Sequence, residues 1–483
     1  MTAFPTSETS ATARALSPID GRLLAEVPTA SIDEVDAVVA TARTAFEQWS
    51  EQTPFERSTI LQECAARIRS VAGDVARLLT LESGKPLPEA EFEVMAAADV
   101  FDYYAALVRT RGGRLAPQMS RNATSIVIKE PIGVVGAILP WNYPLLLWSW
   151  KAAPALAAGN TVISKPSPET MLSLPLLLES LDLPVGVHQI VQGGGDVGEA
   201  LVRHRGVDKI AFTGSSAVGK KIMALCAQDA RRCSVEMSGH DAMIVWDDVD
   251  LDLAVEAALF AKFANNGQVC TAAERFFVRD TIIDEFTERF AARMAQLVIG
   301  DPLDPRTDVG PLVGEAHRQR VADYCRRARE AGGEILLGGT SIDGPGAFFE
   351  PTLIRGLSHE AVNDLGEIFG PVAPVTPIST FDEGIAFAND NRFGLSCNVL
   401  VGDLGLAMKA AWALKVGTVW INNPLPDNYA APFGGFREAG LGRELGEEGL
   451  DAYTESKHVW IEHGLTEQPH WYGARHAPIE TAR

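Results

Sequence analysis

One cysteine in this sequence sits where chemistry could be done. Cys270 lies in Asn265-Asn266-Gly267-Gln268-Val269-Cys270-Thr271, a polar connector between an amphipathic segment, 253–264, and a β-prone segment, 275–278. A thiol presented in this way can attack a carbonyl carbon, whereas most free cysteines are inert core residues. Glu236, in Val235-Glu236-Met237-Ser238-Gly239, suits a general base or a carboxylate capping a turn. Asn142, between Pro140 and Pro144 in an apolar stretch, must find partners, either an oxyanion or its own backbone. Lys165 follows the apolar segment 161–164 and precedes Pro166, where a parallel strand would meet a ligand crevice; a solvated loop lysine has the same spacing.

Two glycine loops compete as phosphate sites. Gly193-Gly194-Gly195-Asp196-Val197-Gly198 is a literal GxGxxG, but the next strand ends at Phe212-Thr213-Gly214 without the acid that a ribose needs, so this loop is expected to be a structural turn. The better candidate is Gly214-Ser215-Ser216-Ala217-Val218-Gly219, a strand end turning into a helix whose first N–H groups can hold an anion; an ordinary βα loop looks the same.

These residues need elements to hold them. Residues 31–110 show helical periodicity, broken at Ser83-Gly84-Lys85-Pro86. From 133 to 280 apolar strands (134–139, 161–164, 188–191, 209–212, 232–236) alternate with helical segments (145–158, 169–180, 197–204, 216–227). That rhythm predicts parallel βαβ units and a doubly wound sheet. A second α/β region follows Cys270, with strands at 275–278, 334–337, 372–378, 397–400 and 418–421 and a Gly- and Pro-rich loop over 338–352. The β-prone segment 125–129 has no neighbour in sequence to pair with, which leaves a distant strand or another subunit.

The chain has 483 residues, enough for two or three domains. Its formal net charge of −21 argues against nucleic acid and anionic membranes as partners. Six cysteines without a CxxC suggest reduced thiols, a cytoplasmic location and no metal site. The apolar run 132–150 is interrupted by Pro140-Trp141-Asn142-Tyr143-Pro144, which suits a buried strand, turn and helix better than a membrane span. Residues 1–13 have no signal-peptide core and are expected to fray, as is a tail over 464–483.

Seven motifs, in this order, resemble the aldehyde dehydrogenase superfamily: Pro140-Trp141-Asn142-Tyr143-Pro144, Lys165-Pro166-Ser167, Phe212-Thr213-Gly214-Ser215, Glu236-Met237-Ser238-Gly239, Gly267-Gln268-Val269-Cys270, Glu367-Ile368-Phe369-Gly370-Pro371 and Pro432-Phe433-Gly434-Gly435. The resemblance runs from about residue 17 to 461. It implies NAD(P)-dependent oxidation of a small-molecule aldehyde to a carboxylate through a thiohemiacetal and a thioester. Cys270 is then the nucleophile, Asn142 the oxyanion donor, Glu236 the base that activates water, and Glu444 a second glutamate relaying the proton. The cofactor would be held by Trp141, Lys165, Ser167, Gly214, Ser215, Gly219, Glu367 and Phe369. Implied too are a Rossmann-like cofactor domain (1–112 and 132–238), a catalytic α/β domain (239–436) and a small β oligomerisation flap (113–131 and 454–463) serving a homodimer or homotetramer.

Three departures qualify this. Pro168 stands where the family often has a glutamate for the adenosine ribose, with Glu169 one residue later, so NAD use with NADP tolerance is expected. Ser238 and His240 replace residues of the usual motif after the base, which puts the resting position of Glu236 in question. The expected aldehyde tunnel is Tyr143, Leu146, Trp150, Val269, Thr271, Asp427 and Phe433. It is either a generic aromatic tunnel with Asp427 turned to solvent or one that favours a cationic aminoaldehyde. The alternatives are a CoA-acylating enzyme, which typically lacks the base, an ester-cleaving thiol enzyme and a non-catalytic protein on the same fold.

Overall fold

The computed structural model describes residues 12–465, 467–468 and 470–472; most of the expected tail lies outside them. The first sheet has six strands in the order Gly440–Leu441, Arg232–Glu236, Lys209–Thr213, Val134–Ile138, Thr161–Lys165 and His188–Ile190. The last five are parallel and the Gly440–Leu441 edge is antiparallel. Helices cover both faces, so strand sequences such as Val134-Val135-Gly136-Ala137 are apolar throughout rather than alternating. Val134–Ile138 is central, and the chain winds outward from it in both directions. The crevice of such a sheet opens at the strands' C-terminal ends, between Val134–Ile138 and Lys209–Thr213.

The second sheet has seven strands in the order Glu334–Leu337, Thr352–Arg355, Val372–Ile378, Ala273–Arg279, Asp241–Val245, Ser396–Leu400 and Thr418–Ile421. Only Glu334–Leu337 runs antiparallel. The β-prone segment near 125 is part of Ala123–Pro131, which pairs antiparallel with Thr454–Glu462 from Pro131↔Thr454 to Ala123↔Glu462. Its partner lies over 300 residues away, beyond the reach of any local pattern.

Four local expectations need correction. Thr12–Leu16 and Leu23–Pro28 form a hairpin, so residues 12 and 13 are strand rather than fray. Asp241–Val245, Thr352–Arg355 and helix His359–Leu365 were not anticipated; each is short, and Thr352–Arg355 follows directly on the Gly- and Pro-rich loop. The helix expected from 169 begins only at Ser173. Its first N–H groups are taken by a buried carboxylate from far away: Glu82 accepts from Leu172 N at 2.8 Å and Ser173 N at 3.0 Å. Gly219, expected to hold cofactor, does not line the crevice. A Cβ there would stand 2.5 Å from the Met237 sulfur, so it serves close packing of helix Ser216–Gln228 on the strand end that carries Glu236.

Candidate functional site

A cleft of about 1030 Å³ opens at the C-terminal ends of the first sheet. Trp141, Asn142, Lys165, Ser167, Gly214, Ser215, Glu367, Phe369 and Cys270 all line it. Cys270 is brought there by a sharp turn. Asn265, Asn266 and Gly267 are all left-handed, at φ 47°, 57° and 72°. Asn and Gly tolerate this region, which explains why Asn-Asn-Gly precedes the cysteine. A Cβ at residue 267 would also meet the Gly370 carbonyl oxygen at 2.3 Å, so the turn locks against the loop carrying Phe369.

The remote end of the cleft suits a dinucleotide. Helix Ser216–Gln228 starts at Ser215 without a side-chain cap, leaving first-turn N–H groups for a pyrophosphate. Among the described residues, the Lys165 ammonium has one hydrogen-bond partner, the Pro166 carbonyl, at 3.2 Å. Burial lowers its pKa to about 8 against the opposing pull of Glu169 and Asp196. The Ser167 hydroxyl donates to the Glu169 carboxylate, so an acid does stand in the adenosine end, displaced by one position past Pro168. The GxGxxG loop also needs correction. Gly194, Gly195 and Gly198 line the cleft, because His188–Ile190 pairs beside Thr161–Lys165 and sets this loop next to Lys165.

The other end carries rings and carboxylates. Trp141 and Phe369 meet edge-on, centroids 5.3 Å apart. Phe369 has φ +54°, a strained value for an aromatic residue, and is held from both sides. Buried Glu274 accepts from Ile368 N at 2.8 Å and Phe369 N at 2.6 Å, while His317 Nε2 lies 2.6 Å from the Phe369 carbonyl oxygen. Burial lowers His317 to about 4, which leaves a neutral ring donating from Nε2 and accepting from Arg320 at Nδ1. Burial and the nearby Glu274 raise Glu367 to about 8, with Ser238 and Gly239 pulling the other way. His240, buried and held neutral by its burial, packs beneath the second sheet with Nδ1 3.1 Å from the Asn391 amide nitrogen.

Glu236 does not line the cleft. Its buried carboxylate lies against Gly434 and Gly440, with no hydrogen-bond donor in good geometry among the described residues. A Cβ at residue 434 would stand 2.7 Å from Oε1, so Gly434 makes room for this carboxylate. Burial and then the neighbouring Glu444 push Glu236 well above the usual carboxylate range, with Lys151 and Arg443 pulling the other way. Lys151 Nζ bonds Glu444 Oε1 at 2.6 Å and Thr213 Oγ1 at 2.7 Å, both out of solvent. Burial also raises the Cys270 thiol, and the carboxylates of Asp241, Asp427, Glu236 and Glu367 add to the effect.

Beyond Cys270, away from the cofactor cleft, Leu146, Trp150 and Phe433 belong to one apolar cluster against which Tyr143, Tyr429 and Cys270 pack. Trp150 and Phe433 meet edge-on at 4.8 Å. Val269 and Thr271 flank Cys270 in the chain, the latter buried; Asp427 is exposed, yet its charge reaches both Tyr143 and Cys270. Lys151, Glu274, His317 and Tyr429 were not foreseen. Lys151 had one legible signal, as the sole charge within Pro144–Ala158.

Fold and cleft define a dinucleotide-dependent oxidoreductase. A model of the "Aldehyde dehydrogenase family" matches residues 5–459. Succinate-semialdehyde dehydrogenase [NADP(+)] of Escherichia coli is 39% identical, covering 92% of this chain and 93% of that protein. Betaine aldehyde dehydrogenase of Bacillus subtilis is 38% identical over the same two shares. A crystal structure of betaine aldehyde dehydrogenase from Staphylococcus aureus in complex with NAD+ superimposes with a TM-score of 0.93 at 35% identity, covering 97% of this chain and 95% of that one. The chain belongs to the aldehyde dehydrogenase family. It is an oxidoreductase acting on aldehydes with NAD or NADP as acceptor.

Proposed function

We propose that Cys270, Asn142, Glu236 and Glu444 carry the oxidation in this chain. The observation behind this reading is that Cys270 and Asn142 both line the dinucleotide cleft, with the buried Glu236, Glu444 and Lys151 close by. The Cys270 thiol gives its proton to water and the sulfur bonds to the aldehyde carbon. The resulting oxyanion takes hydrogen bonds from an Asn142 amide N–H and the Cys270 backbone N–H. The nicotinamide ring supplies the hydride acceptor when bound. Collapse of the oxyanion expels hydride and leaves a thioester on Cys270. Glu236 then swings out past Gly434 and takes a proton from water, whose oxygen attacks the thioester carbon and releases the carboxylate and the thiol. Glu444, held by Lys151, passes that proton onward.

Lys165, Ser167 and Ser215 bind the adenosine ribose and pyrophosphate, and Glu367, Phe369 and Trp141 the nicotinamide end. Glu169 takes over from the acid missing at Pro168 and favours NAD. Glu169→Gln is expected to raise the ratio of kcat/KM for NADP over NAD roughly fivefold to tenfold, by removing a negative charge from the site of a 2′-phosphate. Steady-state assays with both cofactors check this, and an unchanged ratio rejects the role.

The tunnel takes an aldehyde with a neutral or cationic tail. Among its residues no cation faces the substrate: the Lys85 ammonium nearby sits 3.4 Å over the Tyr143 ring and is paired with Glu93. The aromatic faces of Trp150 and Phe433, with the Asp427 carboxylate acting on Tyr143 and Cys270, favour the cationic member of that pair. The test is nicotinamide reduction with neutral, trimethylammonium and carboxylate-bearing aldehydes, with and without CoA. Reduction without CoA is expected, slowest for the carboxylate. An absolute need for CoA, or preference for the carboxylate, rejects the reading. Asp427→Ala is expected to lower kcat/KM for the cation about threefold to tenfold and leave the neutral aldehyde unchanged.

The boundaries proposed for the domains are 1–112 with 132–238, 239–436, and the flap 113–131 with 454–463. A homodimer or homotetramer through the flap is supported by its edge strand Thr454–Glu462, which exposes Trp460 and Ile461. A cytoplasmic location is supported by six free cysteines. Among the described residues, no helix is long and apolar enough to cross a membrane.

A further inference from the structure

Lys85, Glu89 and Glu93 are spaced four residues apart, running from the Gly84-Lys85-Pro86 turn into helix Leu87–Leu107. Glu89 and Glu93 therefore share one helix face, and Lys85 stands just ahead of the helix. The Lys85 and Glu93 side chains are wholly buried and paired with each other. A buried ion pair contributes little to stability compared with an apolar pair of the same shape, so its presence asks for another reason.

Its remaining bonds supply one. Lys85 Nζ donates to the backbone carbonyl of Asn142 at 2.8 Å. Glu93 Oε1 accepts from Leu145 N at 2.8 Å and Leu146 N at 3.2 Å, the open first turn of helix Pro144–Ala158. Glu89 Oε2 accepts from Asn265 N at 2.7 Å. Asn265 in turn donates from its amide to the Asn142 carbonyl at 3.0 Å, and the Asn142 amide donates to the Gln268 carbonyl at 3.0 Å. Lys85 and this helix face thus grip the loop of Asn142 and the loop of Cys270 and tie them to each other.

We propose that Lys85, with Glu89 and Glu93, is a positioning device that fixes the Asn142 amide relative to Cys270. The inference rests on Asn142 being the oxyanion donor. Donors to an oxyanion act through placement, and a displacement of about 1 Å can cost roughly 10²-fold in rate. The Lys85 bond to the Asn142 carbonyl sets the peptide plane from which the side chain projects. Glu93 sets the helix that begins two residues later.

The test uses the full chain. Lys85→Met alone leaves Glu93 buried and unpaired, which threatens folding. The paired variant Lys85→Met with Glu93→Gln is neutral and keeps an oxygen for Leu145 N and Leu146 N, so it removes the bond to Asn142 and the ammonium over the Tyr143 ring. Expected for this pair are a Tm close to that of the parent, KM for NAD within about twofold, and kcat lower by roughly 10-fold to 50-fold. Added to Asn142→Ala, which by itself lowers kcat roughly 10²-fold to 10³-fold, the pair is expected to cost less than threefold more. A folded pair variant with kcat within threefold of the parent overturns the proposal. So does the same 10-fold to 50-fold loss on the Asn142→Ala background, because the pair would then act on something else. Full kcat in Asn142→Ala would instead overturn the oxyanion reading on which the proposal stands.

Discussion

Replacing Cys270 by Ala is expected to lower kcat by at least about 10⁴-fold, with NAD binding retained. No other group near the inner end of the cleft can form the thioester, and the loss of one sulfur leaves the cofactor walls intact. Cys64, Cys226, Cys325 and Cys397 are buried, and Cys233 is half-buried outside the cleft. Their single Ala variants are expected to keep kcat within about threefold and to lose only stability, roughly 1–2 kcal/mol for the buried ones. The same contrast follows from alkylation. Because burial and four carboxylates raise the Cys270 thiol, the thiolate fraction in the cofactor-free enzyme grows as pH rises. Inactivation by iodoacetamide should therefore accelerate steadily with pH through pH 9. A second cysteine whose loss abolishes turnover, or inactivation that is fastest at low pH, would reject the assignment.

Glu236→Gln is expected to separate the two halves of the reaction. Hydride leaves before the base is needed, so the variant should reduce about one equivalent of nicotinamide cofactor per site in a burst and then stall, with steady turnover down roughly 10²-fold to 10⁴-fold. Mass spectrometry of the stalled protein should find the acyl group on Cys270. The pH dependence follows from the same carboxylate. Its folded pKa is raised, first by burial and then by Glu444, and the base works deprotonated. Deacylation should therefore rise with pH well above the ordinary carboxylate range. Glu444→Gln removes a negative neighbour and leaves Lys151 to act on Glu236. Both changes lower the Glu236 pKa, so the rising limb should move to lower pH. A limb that stays in place, or a Glu236→Gln variant without a burst, would refute this arrangement.

Much of the site could be read from short contiguous stretches. The Asn-Asn-Gly turn before Cys270 announces left-handed backbone by residue type alone, and the structure has it at all three positions. The alternation of strands and helices from 133 to 236 follows from apolar runs covered on both faces. Single-residue roles were less secure. Gly219 has the same spacing whether it faces a phosphate or a methionine, and only packing against Met237 distinguishes the two. The Gly193–Gly198 loop lacks the acid that would mark it as a dinucleotide turn, and its place beside Lys165 depends on strand order, which a local pattern does not contain.

By itself the sequence determined the loop that carries Cys270, the doubly wound sheet and the family, because turn chemistry and hydrophobic period are local and ordered motifs survive as text. Tertiary structure alone decided where the charges went. Lys151 meets Glu444 across 293 residues, Glu274 reaches the N–H groups of Ile368 and Phe369, and Glu89 reaches Asn265 across 176. A buried charge must be paired or bonded wherever the fold allows, and that partner is a property of space rather than of spacing.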